Sequence, residues 1–400
     1  MFGLSDCPAG YSAESLNAQT TDDYDGWWSA ELTCPGGKIR FEINLFQKNG
    51  KLAGNVVNGD ENIEIEDVSI VSNHLVIRFP HYDSVIRAEL KNGQLAGDWK
   101  KFVGKAKPDS LEFKASRGRR KYVTESGQLI DGKYQVKFES SDDPAIGVFK
   151  KNDKFISGTF LTTTGDYRFL AGSFNKSTQE LELSCFDGGH AFLFRARTVK
   201  GKLSGDFWSR NSWHEKWTGV RNPNARLADG FEQVKWAGVA TSEIEFPDEN
   251  GKSWNLADKE FRGKVKIIQV FGSWCPNCHD ATKFISELQK AYAPKGLSVV
   301  GLAFELSKDP TRNAEQIERY RKRTGASYPI LIAGIADKST ATKQLRILSR
   351  VKSYPTTIFL DSKDRPIAIH SGFTGPATGE AYEELKRRFR KIIERQLVEQ

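Results

Sequence analysis

The stretch Lys264-Val-Lys-Ile-Ile-Gln-Val-Phe-Gly-Ser-Trp-Cys-Pro-Asn-Cys-His-Asp280 decides how the C-terminal part of the chain folds. An apolar, β-branched run (Val265, Ile267, Ile268, Val270, Phe271) ends at Gly272, and two cysteines separated by Pro276 and Asn277 then open a segment with helical spacing. This order predicts a buried strand that delivers the chain to a helix N-terminus. Phe284, Ile285, Leu288 and Tyr292 carry the helical period onward, with Lys290 and Lys295 near the end and Gly296 as the stop. Pro276 falls where a helix loses nothing by lacking an N–H.

The placement carries a chemical expectation. Beside the unpaired N–H groups and positive dipole end of the helix, Cys275 is favoured as thiolate, with a pKa lowered from about 8.5 toward ~3.5 to 7.5. Cys275 is therefore the candidate nucleophile. Cys278, one turn further in, is placed to attack a mixed disulfide formed at Cys275 and is the candidate resolving thiol.

Outward from this stretch the pattern alternates. A short strand over 243–246 and the turn Pro247-Asp-Glu-Asn-Gly251 precede it; strand 297–304, helix 311–324, strand 329–332, helix 339–348, strands 356–360 and 366–370 and helix 379–398 follow. Strands alternating with helices and then a closing hairpin predict a mixed sheet covered on both faces.

The N-terminal half reads differently. Short alternating runs over 27–33, 39–47, 52–58, 63–71, 74–79, 84–91, 94–100 and 110–116 are separated by turn signals such as Lys48-Asn-Gly50, Asn58-Gly-Asp60, Ser72-Asn73 and Lys91-Asn-Gly93, predicting an antiparallel meander. The pattern recurs: Lys151-Asn-Asp153 answers Lys48-Asn-Gly50, Gly165-Asp166 answers Gly59-Asp60, and Lys200-Gly201 and Gly205-Asp-Phe207 answer Asn92-Gly93 and Gly97-Asp-Trp99. The last two pairs share one offset, 108 residues (200 − 92 and 205 − 97). The fold class is thus multidomain: a duplicated all-β region, each unit a small barrel or a sandwich, and a C-terminal α/β domain. The expected boundaries are 20–118 and 128–222 for the β repeats, 223–239 for a linker and 240–400 for the last domain.

Lys and Arg outnumber Asp and Glu by 59 to 51, and both signs are scattered, so the net +8 is read as solubility, not a nucleic-acid footprint. Arg117-Gly-Arg-Arg-Lys121 reads as a linker, and Lys386-Arg-Arg-Phe-Arg-Lys391 as the outer face of a helix. No apolar run reaches the ~18 residues of a membrane span, and Met1 to Cys7 has no export-signal pattern. Cys7 is read as structural, paired with Cys34, with lipid attachment the alternative that Asp6 fits poorly; Cys185 is read as a buried apolar side chain. Trp208, Trp213 and Trp217 around His214 are read as core, against an aromatic binding surface. The six histidines lack metal-ligand spacing, and no flavin or nicotinamide fingerprint is present.

Trp274-Cys-Pro-Asn-Cys278 after a strand, Ser353-Tyr-Pro-Thr-Thr357 before a later one and Phe359-Leu-Asp361 continuing it resemble the thioredoxin fold. Gly301-Leu-Ala-Phe-Glu305 and His370-Ser-Gly-Phe-Thr-Gly-Pro-Ala-Thr-Gly379 resemble its TlpA/ResA branch of extracytoplasmic thiol-disulfide oxidoreductases. The resemblance covers 240–400 alone. It implies Cys275 as attacking thiol, Cys278 as resolver, Pro355 as a cis-proline facing them, and Trp274, Pro276, Tyr354 and Thr356 as the substrate-binding surface, with the Tyr354 backbone pairing with an extended peptide. It further implies reduction of disulfides in exported proteins, often on the cytochrome c maturation route, with electrons from a transmembrane thiol relay. The implied location is periplasmic or otherwise extracytoplasmic, with a removed leader or Cys7 as a route to anchoring.

One departure matters. Where thioredoxin carries a buried Asp before the first cysteine this chain has Gln269, so Glu305, a glutamate at the corresponding place in the TlpA/ResA branch, is the candidate proton acceptor, weighed against a solvated strand-end side chain. His279 is expected to favour the thiolate through its charge. Cys275-Pro-Asn-Cys278-His279 also satisfies the c-type haem attachment pattern, but Met1 is the only methionine and the strand and the proline motif have no place in that account. A peroxiredoxin reading fails at Gly272 and Ile268, where Thr or Ser and a Pro are required. A third reading makes the β half the ligand- or partner-binding end, with the redox domain ancillary.

Overall fold

The computed structural model describes residues 20–102, 108–122, 130–152 and 154–399. Cys7, Asp153 and the start of the second predicted β repeat at 128 lie outside these ranges.

The first β unit contains β1 (Gly26–Cys34), β2 (Gly37–Lys48), β3 (Lys51–Asn58), β4 (Glu61–Ile65), β5 (Asp67–Val71), β6 (His74–Phe79), β7 (Ser84–Lys91), β8 (Gln94–Lys101) and β9 (Asp109–Arg117). They form one nine-stranded sheet in the order β4-β3-β2-β1-β9-β8-β7-β6-β5. Its two edges, β4 and β5, are consecutive in the chain, so the sheet curls back on itself at Glu66. The single strand expected over 63–71 is therefore two. At the break, the Glu66 carboxylate lies 2.7 Å from His81 Nε2 and accepts a hydrogen bond from Arg323 Nη1 at 2.9 Å. Alternate residues of β1 point into a core holding Trp28, Phe41, Trp99 and Phe113.

The second unit contains β10 (Gly132–Phe138), β11 (Ala145–Lys151), β12 (Ile156–Leu161), β13 (Leu170–Asn175), β14 (Glu180–Phe186), β15 (Ala191–Val199), β16 (Lys202–Ser209) and β17 (Trp213–Arg221). These close into a barrel through pairing of β10 with β17. Its interior is aromatic, with Phe194 stacked between Phe160 and Phe207 at 4.4 and 4.3 Å and Trp217 beneath. The equivalent hairpin turns Asn92-Gly93 and Lys200-Gly201 share φ values of 51° and 75° against 48° and 75°, the left-handed pair that matches strand twist. Gly97 and Gly205 also coincide: a Cβ would meet the Arg87 carbonyl at 2.0 Å and the Arg195 carbonyl at 1.9 Å.

Asn58 joins the two units. Its buried amide donates to the Phe186 carbonyl and accepts from the Phe186 N–H, both at 2.9 Å, which delivers the Phe186 ring into the first core, 4.5 Å from Phe41. The basic run at 117 is not a linker. Arg117 ends β9 over Trp28, and Arg119 lies 4.0 Å from the Trp27 ring with its guanidinium on Glu42 at 3.0 and 3.1 Å. Charge alone could not reveal the tryptophan face these arginines cover. Of the three tryptophans near His214, Trp217 is core, Trp213 is exposed, and Trp208 stacks on His214 at 4.9 Å. Cys34 and Cys185 are buried thiols with no disulfide partner among the described residues.

The C-terminal part adds β18 (Glu245–Pro247) and β19 (Ser253–Asn255), a small hairpin, then β20 (Val265–Phe271), α1 (Pro276–Tyr292), β21 (Leu297–Glu305), α2 (Pro310–Thr324), β22 (Ile330–Ile335), α3 (Lys338–Leu345), β23 (Thr356–Leu360), β24 (Pro366–Ser371) and α4 (Glu380–Val398). The sheet order is β22-β21-β20-β23-β24, with β20 parallel to β21 and antiparallel to β23. Every residue of central β20 is buried, as expected for a strand covered on both faces. From α4, Phe389 packs 6.0 Å from Phe284 of α1 and 4.9 Å from Phe359 of β23, while Arg387 and Arg388 of its basic run pair outward with Glu384 and Asp229. Within 223–239, Val234 belongs to this C-terminal core and Trp236 bridges to Leu348. Among the described residues no helix is long and apolar enough to cross a membrane.

Asn58→Ala leaves a buried N–H and a buried carbonyl of Phe186 without their partner, so urea unfolding is expected to show a loss of about 2–4 kcal/mol. A loss below ~0.5 kcal/mol would mean that the amide is not what ties the two units together.

Candidate active site

Strand β20 runs out at Phe271, and the turn Gly272–Trp274 sets Cys275 as the N-cap of α1 (φ −101°, ψ 111°), with Pro276 in its first turn. The Cys278 N–H donates to Cys275 Sγ at 3.3 Å. Negative charge on that sulfur therefore meets a backbone donor and the positive end of the helix together. On its other side Sγ lies 3.6 Å from the Tyr354 carbonyl, in the loop that carries the cis Tyr354–Pro355 bond. Trp274 is fixed by its Nε1 donating to the Phe304 carbonyl at 2.9 Å, and its ring meets that of Tyr354 edge-on at 5.8 Å. Cys275 is 8% exposed and Cys278 is fully enclosed. Burial, followed by the neighbouring Cys275, pushes the Cys278 thiol well above its usual range, so Cys278 holds its proton until a base takes it.

Glu305, at the end of β21, is buried and not a solvated strand end. One carboxylate oxygen accepts from Ser273 N–H at 3.0 Å and the other from Ser273 Oγ at 2.6 Å. Burial raises its pKa against the pull of these hydrogen bonds, a shift that suits a carboxylate to accept a thiol proton. Gln269 is buried too, its Oε1 accepting from Thr282 at 2.9 Å and Tyr328 at 3.2 Å, so it ties strand to helix.

His279 departs from the expected cationic helper. Its Nε2 lies 2.7 Å from the Ser273 carbonyl, which requires the proton on that nitrogen, and its ring packs 4.5 Å from Tyr320 and 5.3 Å from His81. Burial first, then the charges of Arg323 and His81, drives its pKa well below the usual value, leaving the ring neutral. Its imidazole is thus committed to holding Ser273, the residue that holds Glu305.

Of the predicted substrate-facing residues, the structure gathers Trp274 and Tyr354 around Cys275. Thr356 is turned inward, donating to the Ser353 carbonyl at 2.9 Å. Pro276 is covered by the second barrel: a methyl group on Gly189 would stand 3.3 Å from its ring and 3.1 Å from that of Tyr82.

This cover is what the sequence did not signal. Arg168, between β12 and β13, is buried and reaches α1, where it pairs with Asp280 and donates to Asn277 at 3.3 Å. It also faces Glu61 at 3.4 Å and Asp187 at 3.3 Å. Asp187 is held below the usual carboxylate range, its burial outweighed by His190 and Arg168. Glu61 is pushed up to about 7, burial prevailing over Arg168. The sequence held no cue: of Arg168, Glu61 and Asp187, the nearest in the chain, Asp187, lies 89 positions before α1 (276 − 187), and none shares a local motif with it.

A central sheet of this order, with a two-cysteine turn opening the helix after its middle strand, defines a thioredoxin-like domain. Residues 235–383 match the family model described as Redoxin, and this C-terminal region is a redoxin domain. Similar proteins are the thioredoxin-like protein YneN of Bacillus subtilis, 31% identical over 123 residues (31% of this chain, 64% of that protein), and the thiol-disulfide oxidoreductase ResA of Geobacillus thermodenitrificans, 26% identical over 137 residues (34% and 69%). The match thus spans just under two thirds of the length of YneN. A solved thiol:disulfide interchange protein of the thioredoxin family from Chlorobium tepidum aligns over 38% of this chain and 92% of its own, with 21% identity and a TM-score of 0.29. The relatives correspond to the C-terminal segment, not to the β region.

The Glu61 carboxyl, near 7 when folded and 4.5 ordinarily, keeps a proton that the unfolded chain releases. Its contribution to stability is complete below about pH 4.5 and is lost as pH rises through 7. Glu61→Gln is therefore expected to gain about 2–3 kcal/mol relative to the unchanged chain between pH 4.5 and pH 7. A difference in unfolding free energy that stays flat with pH would contradict this protonation.

Proposed function

We propose that the chain is a thiol-disulfide oxidoreductase that reduces disulfides in exported proteins. The observation that carries this reading is Cys275 Sγ at the helix N-cap, 3.3 Å from the Cys278 N–H and facing the Tyr354–Pro355 loop. The Cys275 thiolate attacks one sulfur of a substrate disulfide; that S–S bond breaks, the far sulfur leaves as a thiolate, and a mixed disulfide forms. Cys278 then gives its proton to Glu305 and attacks Cys275 Sγ, which releases the second substrate thiolate and leaves a Cys275–Cys278 disulfide. The substrate has gained two electrons from the cysteine pair, and an external dithiol restores them.

Reduction rather than oxidation, an extracytoplasmic location and a transmembrane thiol donor are supported by the resemblance to the TlpA/ResA branch. Trp274 and the Tyr354 backbone, beside the sulfur, suit an extended peptide added along the loop edge. The commitment of His279 to the Ser273 carbonyl weighs against the haem-attachment reading, which needs that imidazole as an iron ligand.

Cys278→Ala, given a disulfide-bonded peptide, is expected to accumulate a mixed disulfide between Cys275 and one peptide cysteine, with the other released as a thiol, and Cys275→Ser to form none, both read by mass spectrometry without reductant. If the two variants trap equally, the assignment of attacker and resolver fails. Glu305→Gln is expected to slow the second step by about 100-fold at neutral pH while leaving the first within a few-fold; stopped-flow rates equal to those of the unchanged chain would remove Glu305 from the mechanism.

A further inference from the structure

The two residues between the cysteines are gripped by another domain. Asn277 Nδ2 donates to the Asp166 carbonyl at 3.3 Å, and Asn277 Oδ1 accepts from Arg168 Nη1 at 3.3 Å. The hairpin that supplies both contacts presses on the amide so closely that a Cβ on Gly165 would lie 2.3 Å from Asn277 Nδ2. Asp166 completes the frame: one carboxylate oxygen accepts from the Arg168 N–H at 2.8 Å, the other from the Gly375 N–H at 2.7 Å. That last bond ties the loop after β24 to the same hairpin.

Arg168 occupies this place under strain. Its φ of 62° lies in the left-handed region that costs a side-chain-bearing residue about 1 kcal/mol or more, and such outliers persist where the surroundings hold them for a function. A buried guanidinium is also costly to desolvate unless fully paired, and this one meets Asp280, Glu61 and Asp187. Around the opening of α1 a single arginine thus balances several carboxylates.

We propose that Arg168, together with Asp166, is a positioning residue for the Cys275-Pro-Asn-Cys278 turn, through which the second β barrel sets how readily the two thiols are oxidised. This rests on the thiol-disulfide reading of the site and gives the β region a part in it. The sign follows from charge. With the guanidinium in place, the carboxylates beside α1 are offset and little net negative charge faces the cysteine turn, which stabilises the more electron-rich reduced pair. Without it, the uncompensated carboxylates repel the electron density of the reduced sulfurs, and the pair is oxidised more readily.

The test equilibrates the full chain with glutathione and glutathione disulfide, then quenches with acid and counts alkylated thiols by mass. In that exchange Cys275 and Cys278 give up two electrons and two protons to one glutathione disulfide, yielding one protein disulfide and two glutathione thiols. Arg168→Met is expected to move the equilibrium constant toward the protein disulfide by about fivefold or more, and Arg168→Lys, which keeps the charge, to recover most of the shift. Asn277→Ala is expected to move it as well, and the double variant to fall short of the product of the single effects, as residues in contact do.

Folded Arg168→Met and Asn277→Ala proteins that both stay within twofold of the unchanged chain, or a lysine variant no closer to it than the methionine variant, would overturn the proposal. Should Arg168→Met fail to fold, Asn277→Ala, which removes both barrel contacts without stranding a buried charge, decides alone. An unchanged chain that forms no Cys275–Cys278 disulfide at any glutathione ratio would instead defeat the functional reading on which the proposal stands.

Discussion

One sulfur seated at the start of a helix is the point on which the structure turns. Cys275 Sγ can sit under the Cys278 N–H only because β20 runs straight through the middle of the sheet with all its residues buried, and because the chain leaves it through a single tight turn. The apolar faces of β20 fix the strand, the strand fixes where α1 begins, and the beginning of α1 fixes the field at the sulfur. The same turn aims the Ser273 N–H and hydroxyl at Glu305, so the candidate attacking thiol and the candidate base are placed by one piece of backbone.

Burial then divides labour between chemically identical groups. Cys275 keeps a little exposure at the rim, while Cys278, one turn inside, is enclosed and holds its proton tightly. Glu305 is raised by the same enclosure, because burial disfavours the charged carboxylate. His279, enclosed as well, is neutral and therefore serves as a hydrogen-bond donor to the turn, where an imidazolium would have perturbed the thiols directly.

The β region is joined to this centre by contacts of the same physical kind. Its two units share a core through Phe186, and the second sends Asp166, Arg168 and the loop at Gly189 onto the first turn of α1. The first contributes His81, Tyr82 and Glu61 to the same side. The two-cysteine turn is therefore bounded by two folds: Trp274 and Tyr354 stand at its open edge, and Pro276 and Asn277 lie under the barrel.

The sequence by itself determined the local order. The apolar run over 265–271, the stop at Gly272, the Cys-Pro-Asn-Cys spacing and the helical period after it specify strand, turn and helix, because each depends on residues within a few positions of one another. Repeated turn residues announced the β units for the same reason, since Asn92-Gly93 and Lys200-Gly201 adopt their conformation wherever they stand. What only the tertiary structure decided is what meets across distance. The break at Glu66, the stacking of Arg117 and Arg119 on Trp28 and Trp27, the neutral state of His279 and the grip of Arg168 on Asn277 each depend on a partner or an enclosure supplied from far along the chain. Charge and hydrogen bonding act through space, and a buried ion takes its character from its surroundings, which local spacing does not record.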